Sequence, residues 1–327
     1  MTLGKRTTLF LAATALLGLS SLQAQAQNFP TRPVKIITPS SAGSGPDTAL
    51  RALGEQLSKK WGQPVIIDNR PGGNGFIATT AFKQAQADGH DLIAPDSANI
   101  TTHPHTFSKL PYNPQKDFEP IRPVLLTDFY VVVAKDSPFN SLADIVAAAK
   151  AKPGLLTYGS WAVGSPGHLG ALRLESLTGI KMTHVPYKEM PQLFASVSNK
   201  EVDWALGSAA SAGPMEKGGR VKFIGLGAPK RSAIYPNAPS TEESAVTKGF
   251  ESNAWVGLFA PPGTPKAIKE KISADVREAM ATPAMQERYR VLGYEVMDLG
   301  PEQFAERIRK DTAVWQKVIQ QSGLKLD

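Results

Sequence analysis

The run Val34-Lys35-Ile36-Ile37-Thr38-Pro39-Ser40-Ser41-Ala42-Gly43-Ser44-Gly45-Pro46-Asp47 passes from an apolar β-branched segment, through a loop of small polar residues, toward a helix. Val34–Thr38 predicts a strand. The helix is expected to begin near Asp47, because Leu50, Leu53, Leu57 and Trp61 recur at helical spacing. Further along, Val65-Ile66-Ile67 reads as a second strand and Pro71-Gly72-Gly73-Asn74-Gly75 as a turn. A second helix then runs to about Ala85, and Leu92-Ile93-Ala94 reads as a third strand. This βαβαβ order calls for a parallel sheet covered by helices on both faces.

The pattern then repeats. Tyr130–Ala134 is the strongest strand signal in the chain, and Ser141-Leu142-Ala143-Asp144 marks a helix start. Strands at Leu155–Tyr158, Met182–Val185, Val202–Leu206 and Phe223–Leu226 alternate with helices near Gly167–Thr178 and Gln192–Ser198. A further strand near Ala254–Ala260 precedes Pro261-Pro262-Gly263-Thr264-Pro265 and helical sequence to the end. In the last helix Phe304, Ile308, Trp315 and Val318 form one stripe. The expectation is an α/β chain of two lobes, each a mostly parallel sheet flanked by helices. No low-complexity linker separates the lobes, so strand crossings should join them.

Ahead of this lies a different kind of sequence. Lys5 and Arg6 precede the apolar run Leu9–Leu19, and Ala24-Gln25-Ala26 follows at cleavage-site spacing. This is the three-part pattern of a secretory leader, with cleavage expected after Ala26. The apolar run is too short to span a bilayer, which takes about 20 residues. The mature chain is therefore expected outside the cytoplasm. It has no cysteine, which excludes structural disulfides, thiolate metal sites and thiol catalysis. Its five histidines are scattered, so no metal centre is expected. His103-Pro104-His105 reads as a surface loop. Net charge is +7 with the leader, too mild and dispersed for a nucleic-acid binder.

Two loops share one design. Ser40, Ser41, Ala42, Gly43 and Ser44 lead to Asp47, and Gly159, Ser160, Trp161, Ala162, Val163, Gly164 and Ser165 lead to His168. Each joins a strand to a helix start and carries almost no charge. Glycine lets the backbone approach a ligand closely. Helix N-termini offer free N–H groups and partial positive charge, a neutral trap for a carboxylate or phosphate. Ligands of open α/β sheets bind beyond the carboxyl ends of the strands, where these loops lie. Enzyme motifs are missing. No Gly-x-Ser-x-Gly elbow and no Gly-Lys-Ser/Thr phosphate loop occurs. Gly43-Ser44-Gly45 with Asp68 falls one glycine short of a dinucleotide fingerprint.

Short motifs in order along the mature chain complete the reading. They include Phe29-Pro30-Thr31-Arg32-Pro33, Asp47 with Arg51, Gly62-Gln63-Pro64-Val65-Ile66-Ile67-Asp68-Asn69-Arg70-Pro71-Gly72-Gly73 and Asp88-Gly89-His90. Tyr158-Gly159-Ser160, His184-Val185-Pro186-Tyr187-Lys188, Val202-Asp203 and Ala260-Pro261-Pro262-Gly263-Thr264-Pro265 follow. With these the chain resembles the periplasmic substrate-binding receptors of tripartite tricarboxylate transporters, the Bug proteins.

The resemblance implies a two-lobed, type II-like periplasmic-binding-protein fold joined by two crossing strands. Lobe 1 would comprise residues 27–128 plus 253–327, and lobe 2 residues 129–252. It implies capture of a small organic carboxylate, delivery to a membrane permease, a monomer, and neither catalysis nor a cofactor. Both loops would hold the ligand, with Asp203 near the far end of the pocket. Ser97 and Tyr187 are further candidates for the rim, and hinge motion is expected near Asp128–Val133 and Asn253–Gly257. Where the family usually has an aromatic residue and Pro-Gly-Gly, this chain has small polar residues from Ser40 to Gly45, and Trp161 stands in the second loop. A wide, hydroxyl-rich end and a flat indole wall point to an aromatic dicarboxylate such as terephthalate. The alternatives are an aliphatic di- or tricarboxylate, an amino acid, or a role as a sensor partner.

Overall fold

The computed structural model describes residues 29–327. The leader expected over residues 1–26 lies outside them. The first sheet forms from strands β1 (Val34–Thr38), β2 (Val65–Asn69), β3 (Asp91–Ile93) and β4 (Glu119–Asp128). Between them lie helices α1 (Gly45–Trp61), α2 (Phe76–Phe82), α3 (Ser97–Thr101), α4 (His103–Thr106) and α5 (Pro114–Asp117). The chain then crosses to a second unit. This holds β5 (Tyr130–Ala134), α6 (Leu142–Ala151), β6 (Thr157–Ser160), α7 (Pro166–Thr178), β7 (Thr183–Pro186), α8 (Met190–Ser198), β8 (Trp204–Gly207), α9 (Ala209–Lys217) and β9 (Val221–Leu226). It returns in β10 (Asn253–Ala260), followed by α10 (Lys266–Met280), α11 (Pro283–Leu292) and α12 (Pro301–Ser322).

The sheets have strand orders β2-β1-β3-β10-β4 and β7-β6-β8-β5-β9. Both are mixed, where mostly parallel sheets were expected. β1 pairs in parallel with β2 and β3, and β6 with β7 and β8. β10 and β5 run antiparallel to their neighbours. The antiparallel halves are built around the strands that enter and leave each unit, which reverse direction on returning.

Local signals explain the element ends. Ser44 caps α1 with its side chain on the Asp47 N–H, so the helix starts two residues before the expected Asp47, and Gly62 closes it with φ 64°. In the second unit β6, β7 and β8 begin one or two residues later than their apolar runs predicted. Pro120 and Pro123 hide β4 from a sequence reading, because proline donates nothing to a ladder. Their partners in β10 are Phe259 and Gly257, and a register shift lies beside each.

The last three helices do return to the first sheet. Ile272, Val276, Met280, Met285 and Tyr289 join the core built on β1 and α1. Phe304 packs with Trp255 and Phe259 on the other face. At the crossing, Phe129 N–H bonds Ser252 C=O (2.9 Å), Ser252 N–H bonds Gly227 C=O (2.8 Å) and Gly227 N–H bonds Phe129 C=O (2.8 Å). These short bonds tie the two connecting segments to each other and to the end of β9. No helix among the described residues is long and apolar enough to cross a membrane.

Candidate functional site

The β1–α1 loop is shaped from beneath by Asp47. Its carboxylate is buried and accepts from Gly43 N–H (2.8 Å), Arg51 Nε (3.0 Å) and Asn69 Nδ2 (2.7 Å). Burial alone would raise its pKa, but the donors from Asn69, Arg51 and Gly43 outweigh it and hold the carboxyl below its ordinary value. Asn69 also donates to Ser40 C=O (3.0 Å). Asp47 therefore fixes the loop while Ser41, Ala42 and Gly43 stay exposed. Ser44 is spent as the helix cap. Tyr294 lies directly over this helix start, since a Cβ on Gly45 would sit 2.2 Å from its hydroxyl.

The β6–α7 loop is built on a stack of rings. His168 and His184 lie parallel with centroids 4.0 Å apart, and Tyr158 stacks on His184 at 5.0 Å. His168 Nδ1 accepts from Gly164 N–H (2.9 Å), which assigns its proton to Nε2. Ser160 is fully buried; its hydroxyl donates to Ala162 C=O (2.9 Å) and meets His184 Nε2 at 2.7 Å. Ser165 caps α7 on the His168 N–H. Ser160, Ser165 and His168 thus build the loop and do not line it. Ala162 and Val163 are exposed. Their N–H groups and that of Gly167 have no acceptor among the described residues and lie at the start of α7. Trp161 is half-buried, tilted against Phe129 at 5.8 Å. It is seated on Gly167, where a Cβ would come within 2.6 Å of the indole. Its role as a ligand wall is thus limited to its uncovered part. Tyr187 packs over Gly159, at the foot of the same loop.

Burial, then the neighbouring His184, pulls the pKa of His168 down to about 4. A base depressed in the fold contributes stability fully above the unfolded value of ~6.5 and loses it as pH falls toward 4. We expect wild type to lose about 3 kcal/mol across that window relative to His168→Asn, whose amide oxygen can still accept from Gly164. Denaturant unfolding at several pH values reads this. Curves that stay parallel between pH 7 and 4 would discard the assignment.

The two units touch beside each loop, and the β1–α1 loop borders a hollow of about 320 Å³. Gly293, beside Tyr294, packs on Ala209 at the start of α9 in the second unit. Leu326 rests on Gly164 while its N–H bonds Thr106 C=O (2.9 Å) in the first. Ser97 accepts from Trp255 N–H (3.4 Å), pinning the β3–α3 loop to the crossing strand β10. Asp203 is not brought to the groove loops. It precedes β8 and accepts from Thr157 N–H (2.7 Å) and Oγ1 (2.8 Å). This is the opposite end of the parallel β6–β8 pair from the loop. Its carboxylate ties strand starts, which corrects its expected place near the pocket. The sequence reading missed Asp96 and Asn74, which the fold brings together with Ser41 around one hollow, and Tyr294, which covers the start of α1. Among the described residues no group of acids and histidines could hold a metal.

Known proteins match this architecture. The profile of the tripartite tricarboxylate transporter family receptor matches residues 49–324. A UPF0065 protein of Cupriavidus necator is 32% identical over 313 residues, covering 94% of each chain. Rpa4515 of R. palustris, solved with adipate, is 27% identical with a TM-score of 0.73, covering 91% of this chain and 99% of that one. MatC from Rhodopseudomonas palustris, with bound malate, is 28% identical with a TM-score of 0.69, covering 89% and 100%. The profile spans most of the two-lobed fold, including the β6–α7 loop, so the chain belongs to the tripartite tricarboxylate transporter receptors, a family of solute-binding proteins and not of enzymes.

Proposed function

We propose that this protein is a periplasmic receptor that captures a small organic carboxylate between its lobes and hands it to a tripartite tricarboxylate transporter permease. The observation that carries the reading is the start of α7. The N–H groups of Ala162, Val163 and Gly167 lack acceptors there among the described residues, in a loop free of charge, at the positive end of a helix of 13 residues. Such a site holds a carboxylate through dipoles and hydrogen bonds. Without an arginine fork release stays easy, as delivery requires. Exposed Ser41, Ala42 and Gly43 on the facing lobe supply the second wall. Closure is proposed about the crossings near Asp128–Phe129 and Ser252–Asn253. The protein is taken to act as a monomer.

Within the carboxylates, an aromatic dicarboxylate such as terephthalate draws support from the uncovered part of Trp161 and the small residues at Ser40–Gly45. Aliphatic dicarboxylates draw theirs from the adipate and malate of the relatives. A thermal-shift panel of mono-, di- and tricarboxylates on the mature protein separates them. A ligand at 100 times its Kd adds about 2.7 kcal/mol, a clear rise in Tm. Hits confined to aromatic acids support the indole reading, and hits among aliphatic acids alone remove it. A flat panel across all carboxylates counts against the receptor reading itself.

A further inference from the structure

One acid faces the groove without a partner. Asp96 follows β3 and bridges to Val256 of the crossing strand β10. It stands at the cap position of α3 but its side chain makes no capping bond. No cation pairs with it among the described residues, and the protein walls around it push its pKa up. Its side chain is exposed to the hollow. It lines a hollow of about 320 Å³ at the carboxyl ends of β1, β2 and β3, together with Ser41, Asn74, Asn99 and His103. Burial pulls His103 down to about 4, so its ring is neutral at pH 7. Tyr294 feels the Asp96 charge, and burial, then that charge, holds its phenol up to about 12. The hollow therefore carries one formal charge, and it is negative.

That is an unfavourable surface for the second carboxylate of a dianion. It is a favourable one for an ammonium or amide N–H, because an unpaired carboxylate gains from a charge-assisted donor. The loop before α7 offers N–H donors without acceptors, and Asp96 in the lobe-1 hollow offers an acceptor.

We infer that Asp96 is a specificity residue, and that the ligand is a carboxylate whose other end carries an ammonium or amide donor, not a symmetric dicarboxylate. This rests on the receptor reading and sharpens it. A terephthalate-like body would then be bound with one carboxyl replaced by an amide or aminomethyl group. Discrimination comes from repelling the dianion as well as attracting the donor.

The test uses matched pairs in titration calorimetry at pH 7.5. These are 6-aminohexanoate against adipate, malamate against malate, and 4-(aminomethyl)benzoate against terephthalate. Asp96→Asn is isosteric and replaces an exposed side chain that makes no hydrogen bond among the described residues, so folding is preserved. Wild type should bind the donor-ended member of at least one pair tenfold or more tightly. In Asp96→Asn that preference should collapse or invert. It should also shrink in wild type as pH falls from 7.5 to 5, while Asn abolishes this dependence. A dicarboxylate preferred equally by both proteins overturns the assignment and leaves the receptor reading intact. Binding of neither member of any pair by either protein overturns both.

Discussion

Replacing Asp47 with alanine should lower folding stability by about 3 kcal/mol and weaken ligand capture at least tenfold. The carboxylate is buried and satisfies three donors on three separate segments, Gly43, Arg51 and Asn69. Hydrogen bonds to charged groups contribute ~1.5–3 kcal/mol each, and removing the acceptor leaves buried donors unpaired. The loss is partly offset where Arg51, half-exposed, returns to water. The functional loss comes from Gly43, whose N–H is otherwise free to let the loop drift. Urea unfolding and calorimetry on the variant check both numbers. Asp47→Asn should fall between the two, since an amide keeps one acceptor but not the ion pair. The pH sign is fixed as well. A carboxyl depressed in the fold stabilises above its unfolded pKa of ~3.9 and loses that contribution as pH falls below it, so the wild-type advantage over Asp47→Ala should shrink in strong acid. An Asp47→Ala protein with unchanged stability and affinity would remove this residue from the site's architecture.

The second large effect is expected at Trp255. Its ring is almost fully buried on β10, packs edge-on to Phe304 at 5.0 Å and donates to Asp311 (3.0 Å). Trp255→Ala opens a cavity between the crossing strand and α12, at a cost of roughly 3–5 kcal/mol. In a protein of this size that is a fall of roughly 5–8 °C in Tm. Trp255→Phe, which keeps the ring contact and loses the hydrogen bond, should cost less than half as much. Calorimetric melting of both variants gives the comparison. Equal losses would mean that the hydrogen bond to Asp311, and not the packing, dominates.

Much of this architecture was legible in the residues because local rules agreed with tertiary ones. Val34–Thr38, the Gly/Ser loop and the Leu50, Leu53, Leu57 stripe each point to the same strand–loop–helix unit. β4 was not legible as a strand, since Pro120 and Pro123 break its apparent period and are tolerated only through shifts of register in β10. The second unit's strands were displaced because their apolar residues extend into the preceding turns. The loops of the site could be found from glycine and serine content alone. Which serines face outward could not, because Ser160 and Ser165 are consumed by bonds to Ala162, His184 and His168 that depend on folding. Asp203 was misplaced for a related reason. It came from resemblance, and its partner Thr157 lies 46 positions away in sequence. Asp96 gave no linear signal at all, since an acid before a short helix reads as a cap.

The exposed residues Ala42 and Ala162 stand one on each of the two loops, in a chain without a single thiol. Cysteines placed at those two positions would be the molecule's sole handles for a donor and an acceptor dye. Light passed between the dyes would then track the gap between the loops, and the receptor would become an optical gauge for the concentration of its own ligand.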